Sequence, residues 1–485
     1  MAKANTPQVP GLLPRWRAAL VIGAGLSGVA AARLLAAAGV PVRVYDRRPH
    51  TQAAPHPGVA ALPPGCALFL GEDAVPAAAL QDIDVMVLSP GVPPAPILER
   101  QRAHAPEALV HGELSLALLA IRARWPGIPT ALITGTNGKS TVTALLGALL
   151  EAAGQRPFVG GNLGTPLSDA VLESLSGARP DALVLECSSY QLETVRGDFP
   201  VHVGMVLNVT PDHLSRYASM AEYADTKGRV LHGLTAGGLA LLEAADPWTP
   251  RLRAQVPPRA ELVLVDPSGL SPRDIADAAV AEILGEGPGH ALRLASGEQL
   301  PRARLQLAGR HNSKNALFAL TAARHLGASL ADCERGLAGF SGLPHRMERI
   351  GAYGDVLYYN DSKATNVASV LASLDGFDRP FVLIAGGQPK GDDLSPLRAL
   401  LASRGRGLVA IGEAASAVLA ATGGIVPSTQ AETMAQAVDR AREMARPGDA
   451  VILSPACSSF DWYESYHHRG EDFRAIVRAL ERAAG

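Results

Sequence analysis

The chain has 485 residues, of which 47% are apolar and 19% charged, with a formal net charge of −2. That length corresponds to about two to four domains, each able to bury its own core. The near-neutral balance, with no long run of one sign, argues against a nucleic-acid-binding face or a charged tail, so no nucleic-acid partner is expected.

In chain order, Met1–Pro14 holds one Lys and three prolines and lacks the apolar core of a secretory signal. The most apolar stretch, Ala18 to Val44, is interrupted by Gly23, Gly25, Gly28 and Arg33. It reads as strand, tight turn and helix rather than a membrane span, and no membrane partner is expected. Gly23-Ala24-Gly25-Leu26-Ser27-Gly28 matches GxGxxG between strand and helix, and Asp46 closes the next strand where a ribose-binding acid would sit. Alone, this pattern suggests a dinucleotide. Physically it suits any nucleotide diphosphate, because glycines admit a phosphate to the backbone at a helix N-terminus. Ser89-Pro90-Gly91-Val92-Pro93, after the strand near Asp84, supplies a second wall.

Pro-rich text at Ala103–Pro106 and Trp125–Pro129 marks a boundary before a second α/β block. Thr134-Gly135-Thr136-Asn137-Gly138-Lys139-Ser140-Thr141 follows an apolar strand and opens a helix, the layout of a phosphate loop in its shorter GTxGK(S/T) form. Backbone N–H groups would cradle phosphates, Lys139 would reach the β- and γ-phosphates, and the Ser140 hydroxyl would bind Mg²⁺. Glu186 ends the strand ALVLE and Asp212-His213 follows the strand VGMVLNV, which places both at the carboxyl edge of the sheet. Lys227 lies on a helix one turn beyond Tyr223. A bare ammonium there would repel Mg²⁺, whereas a carbamylated Lys would be an anion with two oxygens. The Pro- and Gly-rich stretch Arg251–Leu300 reads as a peripheral part of this block, before a helix in HNSKNALFALTAARHLG.

After Phe340, DVLYYND, PFVLIAGG, LVAIGE and AVILSPA alternate with helical stretches, again a doubly wound pattern. Lys occurs at only six positions, Lys3, Lys139, Lys227, Lys314, Lys363 and Lys390, in an Arg-rich chain, so a retained Lys is a candidate for work a guanidinium cannot do. Cys66, Cys187, Cys333 and Cys457 lie far apart without a CxxC pair and read as buried apolar side chains in a reducing, cytoplasmic compartment.

Several segments together resemble the Mur ligases, which share a fold with folylpolyglutamate synthetase. They are GTNGKST (135–141), GGNLGTP (160–166), LECSSYQLE (185–193), LNVTPDHLSRY (207–217), Lys227, GRHNSKNALFAL (309–320), GLPHRME (342–348), NDSKATN (360–366) and SPACSSFDWYESYHHRGEDF (454–473). NDSKATN, SPACSSFD and the first Gly-rich turn point to the D-glutamate-adding branch. The resemblance implies an α/β chain of three domains. These are an N-terminal Rossmann-like UDP-substrate-binding domain (1–112), a central P-loop ATPase-like domain with a mostly parallel sheet (113–341) and a C-terminal Rossmann-like, doubly wound amino-acid-binding domain (342–485). It implies ATP, UDP-N-acetylmuramoyl-L-alanine and D-glutamate as substrates, two Mg²⁺ ions and a monomer.

By the same resemblance Gly25, Leu26, Ser27, Asp46, Arg47, Arg48, Ser89 and Gly91 would contact UDP. Asn162 and His213 would meet the muramoyl-alanine end. ATP would be held by Gly135, Thr136, Asn137, Gly138, Lys139, Ser140 and Thr141, with Asn312 and Asn315 on the adenine side, Arg346 on phosphate, Asp361 on ribose and Lys363 nearby. D-Glutamate would be held by Thr365, Lys390, Ser459 and Tyr466, the last often Phe in relatives. Lys139, Glu186, His213 and Lys227 would be catalytic, and Ser140, Glu186, His213 and carbamylated Lys227 would gather the metals. LLEAADP (241–247) departs from the Asn-Ala-Asp run of many relatives. The rival readings are a Mur ligase adding another amino acid, an NAD-linked oxidoreductase built on the first Gly-rich turn, and a non-catalytic nucleotide-binding regulator.

Overall fold

The computed structural model describes residues 9, 11–51, 56, 58–175, 177, 179–195, 199–212, 216–267, 278–285, 289–307, 309–374, 377 and 379–483. The chain forms two compact units, Met1–Pro301 with Asn315–Leu337, and Arg302–Lys314 with Ala338–Gly485.

The first unit carries two sheets. β1 (Ala19–Ile22), β2 (Val42–Asp46), β3 (Ala67–Leu70), β4 (Val85–Leu88) and β5 (Leu109–Gly112) are all parallel, in the order β3-β2-β1-β4-β5. β1 and β4 are apolar and buried throughout, as strands covered on both faces must be. The helix Leu26–Ala37 packs so closely on the turn before it that a Cβ on Gly28 would lie 1.8 Å from the Gly23 carbonyl oxygen. Only glycine fits there.

The second sheet comprises β6 (Thr130–Thr134), β7 (Pro157–Gly161), β8 (Ala182–Glu186), β9 (Val201–Val206), β10 (Leu234–Glu243), β11 (Glu261–Asp266), β12 (Ala279–Leu284), β13 (Ala291–Arg293) and β14 (Gln299–Pro301). Its order is β14-β13-β12-β11-β10-β9-β6-β8-β7, and only the β12–β13 and β13–β14 pairs are antiparallel. β6 lies between β8 and β9, so the chain turns to opposite sides of β6, and the crevice at its carboxyl end is where open α/β sheets bind ligands. One apolar core runs from the first sheet through the helices Leu26–Ala37, Glu113–Arg124 and Leu167–Ser174 into the second. Each Leu or Val buried in it is worth about 1.5–3 kcal/mol.

The second unit holds β15 (Glu348–Tyr353), β16 (Val356–Asn360), β17 (Phe381–Gly386), β18 (Gly405–Ile411), β19 (Ser428–Ala431) and β20 (Ala450–Ala456), in the order β15-β16-β20-β17-β18-β19. Only β15 runs antiparallel to its neighbour. Separate apolar clusters pack on the two faces of this sheet. The chain is therefore α/β with three largely parallel sheets. Among the described residues no helix is long and apolar enough to cross a membrane.

Candidate active site

The phosphate loop leaves β6 at Thr134 and enters the helix Lys139–Ala152 through Gly138, whose φ of 85° lies in the left-handed region. A Cβ there would stand 2.6 Å from Asn315 Oδ1, so glycine is required twice over, and Asn315 sits directly against the loop. Asn208, just past β9, clamps the loop. Its Oδ1 accepts from the N–H groups of Thr136 (3.1 Å) and Asn137 (2.8 Å), and its Nδ2 donates to the Asn137 carbonyl (3.1 Å). Asn208 is a loop-shaping residue that the motif reading passed over. The signal available was a polar side chain immediately after the strand adjoining β6.

Lys139 Nζ donates to the carbonyls of Gly135 (2.9 Å) and Thr136 (2.8 Å), which holds the ammonium across the loop. Ser140 is buried in the first turn of the helix. Glu186 ends β8 in register with Ile133, one residue before Thr134. Its Oε1 accepts from Asn162 Nδ2 at 2.7 Å, while its buried Oε2 has no hydrogen-bond partner among the described residues. An ionised carboxylate oxygen left bare in the interior is costly unless a cation meets it. Among the described residues no three His, Cys, Asp or Glu side chains cluster as a metal cage. A lone buried carboxylate beside a phosphate loop and a Ser hydroxyl fits Mg²⁺, which takes one or two protein oxygens and completes its shell with phosphates and water.

Lys227, on the helix Met220–Gly228, is only 1% exposed, and its Nζ stands 4.4 Å from the Tyr223 ring centre. The Tyr223 hydroxyl is 3.4 Å from Thr136 Oγ1. Lys139, Thr136, Tyr223 and Lys227 thus form one connected patch. Burial, reinforced by the charge of Lys139 and opposed by Asp212, pulls Lys227 well below the usual lysine range. A neutral primary amine is the form that can be carbamylated. His213 lies outside the described residues.

The first Gly-rich turn opens onto a cleft of about 430 Å³. Gly25, Leu26, Ser27, Asp46, Arg48, Ser89, Pro90, Gly91 and Val92 line one side, and Asn162, Gly164 and Gln191 close the other. Leu26 is 68% exposed, an apolar face open to a planar group. Asn162, which lines this cleft, also donates to Glu186, so one side chain touches both the cleft and the strand end beside the phosphate loop. Asp46 is engaged by its own chain. Its oxygens accept from Ala24 N (2.8 Å) and from the Arg48 N–H groups (2.9–3.1 Å), with His56 Nε2 at 3.3 Å. Burial pushes its carboxyl up, but the Arg48 and Ala24 hydrogen bonds outweigh this and hold it well below the usual range. Arg47 faces solvent, 3.8 Å from Asp73.

In the second unit, the loops after β16, β17 and β20 converge. Lys390 Nζ donates to Thr365 Oγ1 at 3.1 Å, and Lys363 Nζ stands 3.9 Å from the Tyr466 ring centre. Buried Arg469 ties these loops through the carbonyls of Ser362, Cys457 and Ser458, next to buried Ser459. Arg346 is flanked by His345 (φ 62°) and Met347 (φ 44°), a strained conformation for non-glycine residues that sets the direction of the loop. Asp361 accepts from Ser454 Oγ (2.7 Å) and Met347 N (3.1 Å), and burial pushes its carboxyl up to about 6. Asn312 is buried on the helix Arg310–His325.

Three family models match the chain: the Mur ligase MurD-like N-terminal domain at residues 17–108, the Mur ligase middle domain at 133–323 and the Mur ligase glutamate ligase domain at 345–457. Among similar proteins, the UDP-N-acetylmuramoylalanine–D-glutamate ligase of Myxococcus xanthus is 41% identical over 95% of this chain and 98% of its own length. The ligase of the same name from Nitrosospira multiformis is 37% identical over 96% of each. In fold, the chain is similar to the UDP-N-acetylmuramate-alanine ligase MurC of Thermotoga maritima (TM-score 0.57, 15% identity, 95% of this chain and 99% of that one). It is also similar to a folylpolyglutamate synthase of Mycobacterium tuberculosis complexed with ADP and AMPPCP (TM-score 0.55, 17% identity, 75% and 93%). The chain belongs to the Mur ligase family, in the branch of the UDP-N-acetylmuramoylalanine–D-glutamate ligases.

Proposed function

We propose that this chain is an ATP-dependent ligase that adds D-glutamate to UDP-N-acetylmuramoyl-L-alanine, a step in building the peptidoglycan precursor. The observation that carries the reading is the bare Glu186 Oε2 at the strand end beside the Lys139 loop. A bare carboxyl oxygen, a lysine side chain held across the loop and a helix N-terminus at one sheet edge are what a magnesium triphosphate needs.

In the first step a carboxylate oxygen of the L-alanyl end attacks the γ-phosphorus of ATP. The bond from that phosphorus to the β,γ-bridging oxygen breaks, ADP leaves, and an acyl phosphate forms. Lys139 and the loop N–H groups hold the phosphates in line and offset the charge that builds on them. Ser140 and Glu186 would hold Mg²⁺, with His213 as the further ligand for a second ion. When bound, Mg²⁺ supplies positive charge against the transferring group. In the second step the amine of D-glutamate attacks the acyl carbon, loses a proton, and phosphate leaves from the tetrahedral intermediate. Lys227, whose charged form is disfavoured by burial, is suited to carbamylation, which would place an anion in this patch. Exclusion of water protects the acyl phosphate from hydrolysis.

Asn162 meets the muramoyl-alanine end while the cleft around Ser27, Ser89 and Arg48 takes the UDP. Lys363, Thr365, Lys390, Ser459 and Tyr466 take the amino acid, with cationic and hydroxyl donors matched to two carboxylates. Division at residues 112 and 341, a monomeric state and a cytoplasmic location complete the reading. The division is supported by each span having its own sheet.

The test is phosphate release from ATP in the presence of UDP-N-acetylmuramoyl-L-alanine, comparing D-glutamate with L-glutamate. Release is expected with the D-isomer. Release only with L-alanine or a diamino acid would assign a sister activity, and no release with any amino acid would sink the ligase reading.

A further inference from the structure

Arg216 lies where three segments meet, with only 14% of its side chain exposed. Its Nε donates to Glu193 Oε1 at 3.0 Å and its Nη2 to Glu193 Oε2 at 2.7 Å, a two-point fork. The Tyr217 hydroxyl donates to the same carboxylate at 2.9 Å. Arg216 Nη2 also donates to the Val92 carbonyl at 3.2 Å and reaches that of Pro90 at 3.5 Å. The guanidinium carbon stands 4.5 Å from the Tyr190 ring centre.

The position of these partners matters more than their number. Pro90 and Val92 form one wall of the nucleotide cleft. Tyr190 and Glu193 bracket Gln191, which lines the opposite wall. The short helix Ser189–Leu192 that carries Tyr190 and Gln191 begins three residues after Glu186. One planar cation therefore holds both walls of the cleft at a fixed separation and ties them to the strand end bearing the bare carboxylate. A lysine ammonium is a point donor and cannot satisfy a forked carboxylate and a neighbouring carbonyl in one plane.

We propose that Arg216, locked by Glu193, is a positioning residue that sets the width of the nucleotide cleft and its distance from the Glu186 end. This rests on the reading of the cleft as the uridine-nucleotide site. Arg216 need not touch the substrate; it acts through the Pro90–Val92 wall.

The test compares Arg216→Lys and Glu193→Gln with the wild-type full-length chain. Calorimetric titration with UDP-N-acetylmuramoyl-L-alanine, without ATP, reads the cleft alone, and steady-state assays read KM for each substrate. In Arg216→Lys the Kd and KM for the uridine substrate should rise about tenfold, the equivalent of one hydrogen bond to a charged group. KM for ATP should stay within about twofold, since a positioning effect is local, whereas general loosening of the fold moves every constant together. Glu193→Gln keeps the volume and one acceptor and should give part of the same rise. The double variant should be no weaker than Arg216→Lys alone, because the two side chains act as one unit. Unchanged uridine-substrate affinity in Arg216→Lys, an equal rise in KM for ATP, or additive effects in the double variant would overturn the inference. A wild-type chain that binds the uridine substrate but makes no product would count against the ligase reading alone, and weaker binding by Arg216→Lys would still support the positioning role.

Discussion

The first unit contains the same local device twice: a parallel strand, a glycine-rich turn and a helix. The turn at Gly23–Gly28 and the turn at Gly135–Gly138 differ in what their neighbours contribute. At the first, the Ala24 N–H is taken by the Asp46 carboxylate, itself held ionised by Arg48, so a fixed negative charge sits within the turn. At the second, the Thr136 and Asn137 N–H groups are taken by the neutral amide of Asn208, and the only charge laid across the loop among the interactions described above is the Lys139 ammonium. Nearby charge therefore decides what each turn can bind. A turn carrying its own carboxylate is poorly suited to a triphosphate but tolerates a diphosphate reached by arginines at its rim, whereas an uncharged turn with a lysine and a bare acid beyond it suits magnesium and ATP. Glycine spacing separates the two motifs, but at the first turn it leaves a dinucleotide and any other nucleotide diphosphate equally possible.

The strongest test of this contrast is Lys139→Ala. Removing this cation from the second turn should lower ADP formation by at least about 10³-fold, at the upper end of what a lost charge-stabilising donor costs. Retained turnover in a phosphate-release assay would mean that the loop backbone alone binds and activates the triphosphate, and the difference drawn between the turns would fail.

The next test separates the glycines of the first turn. A Cβ on Gly28 would lie 1.8 Å from a backbone oxygen, whereas one on Gly25 meets nothing within 4 Å at a φ of −80°. Gly28→Ala should cost about 1–3 kcal/mol or more, measured as a lower Tm, because the helix must move off the sheet. Gly25→Ala should leave stability within about 0.5 kcal/mol. Its methyl group would project where a diphosphate approaches the helix N-terminus, so binding of the uridine substrate should weaken while KM for ATP holds. Unchanged uridine binding would place the diphosphate elsewhere in the cleft.

How much of this could be read from sequence follows the same line. β1, β4, β6, β8 and β20 are rich in apolar residues, buried at every position, and legible, because strands buried on both faces have little choice of composition. β3, β5, β7 and β19 were not singled out. They are short strands at sheet edges, with exposed positions or with glycine and polar residues in place of an apolar run. Motif spacing pointed to Lys139, Ser140 and Glu186, since strand ends and helix starts fix those positions locally. Asn208, Arg216 and Glu193 lie inside quoted family segments, but the sequence assigns them no role. Their partners lie 71, 124 and 23 residues away, and only the fold brings them together.

A milder effect concerns the junction between the first two sheets. Glu113 opens the helix after β5, and its Oε1 accepts from the Ser168 N–H at 2.7 Å, at the start of the helix that follows the Asn162 loop. The adjacent Asp169 pairs with Arg33 of the first helix at 2.9 Å. Burial, opposed by the Ser168 hydrogen bonds and aided slightly by Asp169, pushes the Glu113 carboxyl up to about 7. A carboxyl whose folded value is raised disfavours folding when ionised, so the penalty is present above about pH 7 and fades as pH falls toward its unfolded value. Stability of the first unit should therefore rise by about 1 kcal/mol between pH 8 and pH 6 on account of this group. Glu113→Gln keeps an acceptor for Ser168 and cannot titrate, so it should lose that part of the slope and be the more stable form at pH 8. Parallel Tm-against-pH curves for the two proteins would mean that Glu113 stays ionised at the junction with a partner strong enough to offset its burial, and that the joint between the two turns is insensitive to protonation.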